Sequence, residues 1–182
     1  MLVAAVAVGA ATLSLSRDAR ALGPIDLEVA AKGGYGTNPF SVSPNPLGAG
    51  LGARAGVGIF GLYAGLAILY YFGGSEDTTL GKISDHSLMY GVEAGYNWKI
   101  TLLTIRPQLG VGNYTLTAGT SGSSASHSNL YLEPGVTALV SLGMMFVGAD
   151  ANLLVLPSIQ QPDGNKSTDT AFTLHGQLGV KF

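Results

Sequence analysis

Apolar and polar residues alternate in twos over long stretches of this chain. The last stretch, Thr170 to Phe182, reads TAFTLHGQLGVKF. Phe172, Leu174, Gly176, Leu178, Val180 and Phe182 share one face, and Thr173, His175, Gln177 and Lys181 share the other. A period of two is the signature of a β-strand with unlike faces. Eight segments show it, near residues 25–36, 47–60, 62–73, 87–100, 103–117, 129–142, 145–157 and 170–182. Each is long enough to cross a bilayer as a tilted strand, which takes ~9–11 residues. The connections alternate in kind. After the first, third, fifth and seventh strands come the polar stretches TNPFSVSPNP, GSEDTTLGKISDH, AGTSGSSASHS and SIQQPDGNKSTD. After the second, fourth and sixth there are only short turns, around Gly61, Thr101-Leu102 and Gly143-Met144. This layout predicts an all-β fold, an eight-stranded antiparallel up-and-down transmembrane β-barrel, with both termini and the short turns on the periplasmic side.

The phase of each strand, set from its apolar residues, separates the charges cleanly. Leu27, Val29 and Ala31 oppose Asp26, Glu28 and Lys32; Ala53, Ala55 and Val57 oppose Arg54. Val92, Ala94 and Tyr96 oppose Glu93; Ile105 and Leu109 oppose Arg106. Leu130, Leu132 and Val136 oppose Glu133; Val147, Ala149 and Leu153 oppose Asp150. Lys99 and Lys181 also fall on inner faces, so all ten strand charges point inward. A charge facing lipid at the midplane would cost about 2–4 kcal/mol. Aromatic residues gather toward the strand ends. Phe60, Trp98, Phe146 and Phe182 are expected in a periplasmic girdle, and Tyr35, Phe72, Tyr90 and Phe172 in an outer one.

One stretch admits a rival reading. Ala55 to Gly74 carries no charge and contains the pair Gly61 and Gly65 at G-x-x-x-G spacing, as a membrane helix could. The two-residue spacing of Gly50, Gly52, Gly56 and Gly58 favours two strands around a turn at Gly61.

Composition agrees with a membrane setting. Charged residues are 11 %, against roughly 25 % in an average soluble domain. There is no cysteine, which excludes disulfides and thiolate metal sites. Residues 1–21 have the layout of a signal peptide: a short apolar run followed by Ala19-Arg20-Ala21, a small-x-small cleavage pattern. No Lys or Arg precedes that run, which points to a start upstream of Met1. Its removal leaves residues 22–182 as the barrel, with 7 basic and 10 acidic residues and no basic patch suited to nucleic acid.

The alternation ending on Phe182 resembles the C-terminal strand of bacterial outer-membrane barrels, and residues 25–182 resemble the small OmpA/OmpX-type barrels. The resemblance implies a location in the bacterial cell outer membrane. It implies outer-membrane lipids and lipopolysaccharide as surroundings, and recognition of the segment ending at Phe182 by the barrel-assembly machinery.

An eight-stranded barrel is just wide enough for its side chains to fill it. The candidate interior network comprises Glu28, Lys32, Arg54, Glu93, Arg106, Glu133, Asp150 and His175, with Asp26, Lys99 and Lys181 near the periplasmic rim. Buried charges need partners, so the balanced acids and bases are expected to neutralise one another as a structural plug. A gated ion path is the functional alternative. Gly56 to Gly61 matches G-x-G-x-x-G but lacks the helix that a dinucleotide site requires. His127-Ser128-Asn129 is similar to the His-x-Ser-Asn motif of lipid A deacylases, with the spacing changed by one residue and no acid placed to orient His127. No catalytic residue, metal site or cofactor is expected. The sequence therefore favours a non-enzymatic structural or surface-interaction barrel. A narrow pore or carrier for small or apolar solutes, through a lumen left open by the glycines of the second strand, is the alternative. A lipid A-directed hydrolase ranks below both.

Overall fold

A computed structural model describes residues 25–39, 44–78, 81–120, 123–160 and 166–182. The expected signal peptide, 1–21, lies outside the described residues. Ten strands follow in chain order: β1 (Ile25–Gly36), β2 (Gly48–Ile59), β3 (Leu62–Tyr71), β4 (Ser75–Thr78), β5 (Gly81–Tyr96), β6 (Trp98–Ile100), β7 (Leu103–Thr120), β8 (Ser123–Leu142), β9 (Met145–Gln160) and β10 (Lys166–Lys181). The sheet runs β4-β5-β3-β2-β1-β10-β9-β8-β7-β6 and closes through β5 against β7, every pairing antiparallel. β4 prolongs the stave begun by β3, and β6 prolongs that of β5, so eight staves form a closed barrel. The β5–β7 pairing closes the sheet on itself, which is what lets strands cross lipid.

The turns follow from local backbone chemistry. Ile59 pairs with Leu62 around Phe60 and Gly61, both at positive φ (51° and 88°), as a type I′ hairpin requires. The uncharged run from Ala55 to Gly74 is thus the β2–β3 hairpin, and its G-x-x-x-G spacing is incidental. Leu142 pairs with Met145 around Gly143 (φ 74°), with glycine first in the loop, where a type II′ turn places it. These turns and both barrel termini lie at one end, the turn end; the longer connections lie at the loop end.

Faces fall as the alternation dictates. Leu66, Ile68, Val92, Leu109, Leu174 and Leu178 are exposed, although large and apolar, while Glu28, Lys32, Arg54 and Arg106 are buried. On β7 the outward apolar run spans nine residues, Leu103 to Val111. At a rise of ~3.3 Å and a tilt of ~40° it covers about 23 Å, close to the ~25 Å apolar band of a membrane barrel.

Three expectations need correction. The polar stretches after the third, fifth and seventh strands are largely pairing segments rather than loops. Thr120 pairs with Ser123, and Asp77 with Lys82, so hairpins extend the barrel wall beyond the apolar band. Serine and threonine on adjacent strands hydrogen-bond across the ladder, which composition alone did not suggest. Phe146 is not a girdle residue: it is 1 % exposed inside the barrel, because it shares the inward phase of Asp150 and Asn152. The glycines of β2 leave no open lumen, because large inward side chains from β3 occupy the space beside them. A Cβ on Gly56 would lie 2.5 Å from the Tyr63 ring, and one on Gly50 would lie 2.6 Å from that of Tyr71.

Candidate functional site

The lumen is filled in tiers. At the turn-end rim Asp26 accepts from Lys99 Nζ and Lys181 Nζ, each at 2.9 Å. Lys99 stays about half exposed there, where a surface pair contributes ~0–1 kcal/mol.

The next tier centres on Glu28. Arg106 Nη2 donates to both carboxylate oxygens, at 2.8 and 2.7 Å, and Arg54 Nη1 donates to Oε2 at 3.0 Å. Arg54 also donates through Nη1 to the Tyr63 hydroxyl (2.8 Å) and through Nε to Gln177 Oε1 (2.6 Å). Arg106 Nε donates to Asn97 Oδ1 (2.6 Å), and its guanidinium lies 3.6 Å from the centre of the Tyr63 ring. The planar fork of arginine suits this task, since it bonds a carboxylate while stacking on an aromatic face. Phe146 adds a second ring, 5.4 Å from the Arg54 guanidinium.

A second charged tier sits deeper. Lys32 Nζ lies 3.2 Å from Asp150 Oδ2 and 3.7 Å from Glu93 Oε1. Asp150 Oδ1 contacts His175 Nδ1 at 2.7 Å, and His175 Nε2 contacts the Tyr71 hydroxyl at 2.7 Å. Glu133 accepts from Thr173 Oγ1 (2.9 Å), and Asn152 and Gln177 donate to Asp150 at 2.7 and 3.2 Å. The eight candidate residues are thus gathered inside the barrel, in two clusters. Among the described residues Arg54 Nη2, Arg106 Nη1 and Glu93 Oε2 have no hydrogen-bond partner. Water is the ordinary partner of such buried groups.

Above the charges the lumen becomes apolar. Leu69, Met89, Leu154 and Leu156 pack with Tyr71, Tyr114 and Tyr131, and Leu47 closes the mouth at 0 % exposure. The segment ahead of β2 folds inward to place it. Asn45 Nδ2 bonds Gly36 O (3.0 Å), Ser87 Oγ bonds Pro46 O (2.9 Å), and Gly73 N bonds Leu47 O (3.0 Å).

Sequence reasoning missed the neutral members: Tyr63, Tyr71, Asn97, Thr173 and Gln177. A usable signal existed: Asn97, Thr173 and Gln177 share the parity of charged residues on their own staves, and Tyr63 and Tyr71, on a strand without charges, lie across from the glycines of β2. His127 and Ser128 are successive residues of β8, so their side chains diverge to opposite faces. Ser128 Oγ contacts Thr115 Oγ1 at 2.8 Å. That geometry does not pair a nucleophile with a base. Among the described residues no group of three or more His, Asp or Glu is arranged to hold a metal.

No protein-family model matches the sequence, and no curated protein sequence matches it. Solved structures do match. The N-terminal β-barrel domain of Pseudomonas aeruginosa OprF is similar over 86 % of this chain and 97 % of that one, at 13 % identity and a TM-score of 0.59. A major outer membrane protein from Thermus thermophilus matches over 87 % and 99 %, at 13 % identity and a TM-score of 0.62. Neisserial surface protein A matches over 87 % and 97 %, at 13 % identity and a TM-score of 0.59. The chain has the fold of the small eight-stranded barrels of bacterial outer membranes.

Proposed function

We propose that the protein is an integral outer-membrane barrel, exported through its N-terminal segment, with a structural or surface-interaction role and no conduction or catalysis. The observation that carries this reading is the filled lumen, with two charged tiers below an apolar tier capped by Leu47. An ion entering from the turn end meets charged side chains that are mostly paired with one another, and one entering from the loop end meets the packed side chains of Leu47, Leu69, Met89, Leu154 and Leu156. The apolar outer band fits a lipid surround, with lipopolysaccharide in the outer leaflet. The alternating segment that ends at Phe182 fits recognition by the barrel-assembly machinery. The similarity to Neisserial surface protein A supports surface display.

A narrow pore is the second reading, favoured by the unpartnered Arg54 Nη2, Arg106 Nη1 and Glu93 Oε2, which suit a short hydrated path in the turn-end half. Planar-bilayer conductance separates the two. The protein is first shown to be inserted by strand-rich circular dichroism and heat-modifiable migration. The filled-lumen reading expects no discrete current steps. Reproducible steps in the inserted protein would overturn it in favour of the pore.

A further inference from the structure

The outward face changes character abruptly on one wall of the barrel. On β7 Leu109 and Val111 give way to Asn113, Thr115 and Thr117. On β8 Leu132 and Leu130 give way to Ser128, Ser126 and Ser124. On β5 Tyr90 and Leu88 give way to His86 and Ser84. The register aligns these changes into rows across three strands. Leu88, Thr115 and Ser128 form one row; His86, Thr117 and Ser126 form the next; Ser84, Gly119 and Ser124 form the third. Hydroxyls bond across the rows, Thr115 to Ser128 at 2.8 Å and Thr117 to Ser126 at 3.3 Å. A hydroxyl has one proton and two lone pairs, so each pair keeps bonding capacity for a third group. None of these outward positions is a carboxylate or an ammonium. Exposed aromatic residues edge the plate: Tyr90 directly below, and Tyr70, whose ring lies 5.6 Å from His86 and 5.5 Å from Phe72.

The chemistry and the position each narrow the occupant. A flat, uncharged, hydroxyl-bearing surface beside exposed rings matches a sugar, whose hydroxyls accept and donate and whose C–H faces lie against aromatic rings. A phosphate would call for arginine or lysine, which these rows lack. The plate looks sideways and continues the apolar band without a gap, so what lies against it is the headgroup layer beside the barrel. We infer that this β5–β7–β8 plate seats neutral sugars of the glycolipid that surrounds the protein in its own membrane. The inference rests on the outer-membrane placement proposed above and deepens it.

The test uses the protein refolded into three bilayers: lipopolysaccharide with a complete core oligosaccharide, lipopolysaccharide truncated to lipid A, and phosphatidylcholine. Insertion is scored by heat-modifiable migration, and the readout is the temperature at which the folded band disappears. The folded band is expected to persist to a higher temperature with the complete core than with lipid A alone. The double substitution Thr117→Ala with Ser126→Ala should remove at least half of that difference. Ser126→Thr, which keeps the hydroxyl, should retain it, as should Thr170→Ala on the outward face of β10. Equal persistence in the two lipopolysaccharides, or a difference untouched by the double substitution, overturns the plate while leaving membrane placement intact. Soluble core oligosaccharide stabilising the phosphatidylcholine sample as strongly as the complete lipopolysaccharide overturns the choice of a membrane-borne partner. Failure to insert into any of the three bilayers overturns the placement itself.

Discussion

Arg106 reaches across the lumen to hold Glu28, 78 residues away in sequence, with Nη2 at 2.8 and 2.7 Å from the two carboxylate oxygens. Arg54 shares the same carboxylate from the other side, at 3.0 Å. One acid therefore ties β1 to β2 and to β7, strands that are not all neighbours in the sheet. This cross-brace fixes the shape of the barrel section near the turn end.

The shared geometry makes the two partners unequal. Glu28→Gln strips the charge partner from two buried guanidinium groups, and breaking a buried pair costs about 3–5 kcal/mol. Arg106→Met leaves Glu28 still bonded to Arg54, so its cost should be smaller. Urea unfolding of the refolded barrel, followed by loss of the heat-modifiable band, ranks the two variants. A larger loss for Arg106→Met would show that Arg54 does not compensate.

The packing of Tyr63 depends on two glycines. A Cβ on Gly56 would lie 2.5 Å from its ring, and one on Gly65 would lie 2.9 Å from it. Gly56→Ala should cost about 1–3 kcal/mol by overpacking. In a Tyr63→Ala background that penalty should shrink by more than half, because neighbouring sites do not add. Equal penalties in the two backgrounds, measured by the same unfolding assay, would mean that Gly56 is needed for its backbone and not for the ring.

How much of this was legible in the sequence depends on the kind of information. The phase of each strand was legible, because burying Glu28 or Arg54 in lipid is costly enough to force parity. The inward grouping of Lys32, Glu93, Asp150 and His175 follows from parity alone. Their pairing does not, since register brings Asp150 opposite His175 and nothing local encodes it. Phe146 was misplaced because an aromatic near a strand end fits a girdle and a lumen equally well, and only its parity with Asp150 distinguishes them. The strand extensions to Thr120 and Ser123 were hidden by Ser- and Gly-rich composition, which scores as loop until a partner strand supplies hydroxyl contacts across the ladder.

The outward faces supply a depth test. Leu66 lies in the middle of β3 and Ile100 at the turn end of β6, and both are exposed, at 64 % and 62 %. Arginine at the bilayer midplane costs about 2–4 kcal/mol, falling to about 0–1 near the interface. Leu66→Arg should therefore destabilise the barrel in bilayers far more than Ile100→Arg does. If the two exposed sites tolerate arginine equally in a bilayer, the band centred on Leu66 does not face hydrocarbon.

Asp85 lies above the apolar band, beyond Leu88 on β5, and its Oδ1 is buried without a hydrogen-bond partner among the described residues. Burial pushes its carboxyl above the usual range, and neighbouring His86 offsets only part of that. The folded protein then binds this proton more tightly than the unfolded chain does. By linkage its contribution to stability is largest at low pH and is lost as pH rises from the ordinary carboxylate range through the folded value. Asp85→Asn should remove this component, so that the variant loses less stability than the parent on going from pH 4 to pH 7. Parallel pH profiles for parent and variant would show that Asp85 titrates normally.

The seam between β1 and β10 offers a way to separate folding from assembly. Phe182 exchanges two backbone hydrogen bonds with Leu27, at 2.9 and 3.0 Å, beyond the last paired residue Lys181. Deleting Phe182 removes both bonds, each contributing about 0.5–1.5 kcal/mol. Phe182→Ala keeps the backbone bonds and removes only the ring. If the seam were the whole role of this residue, the deletion would weaken the refolded barrel and Phe182→Ala would be close to neutral both in vitro and in cells. If the terminal aromatic is also what the assembly machinery reads, Phe182→Ala should refold in detergent with near-parental stability yet accumulate unfolded in cells. Comparing the heat-modifiable fraction after refolding with that recovered from bacterial outer membranes distinguishes the two. Normal cellular assembly of Phe182→Ala would leave Phe182 with the seam alone.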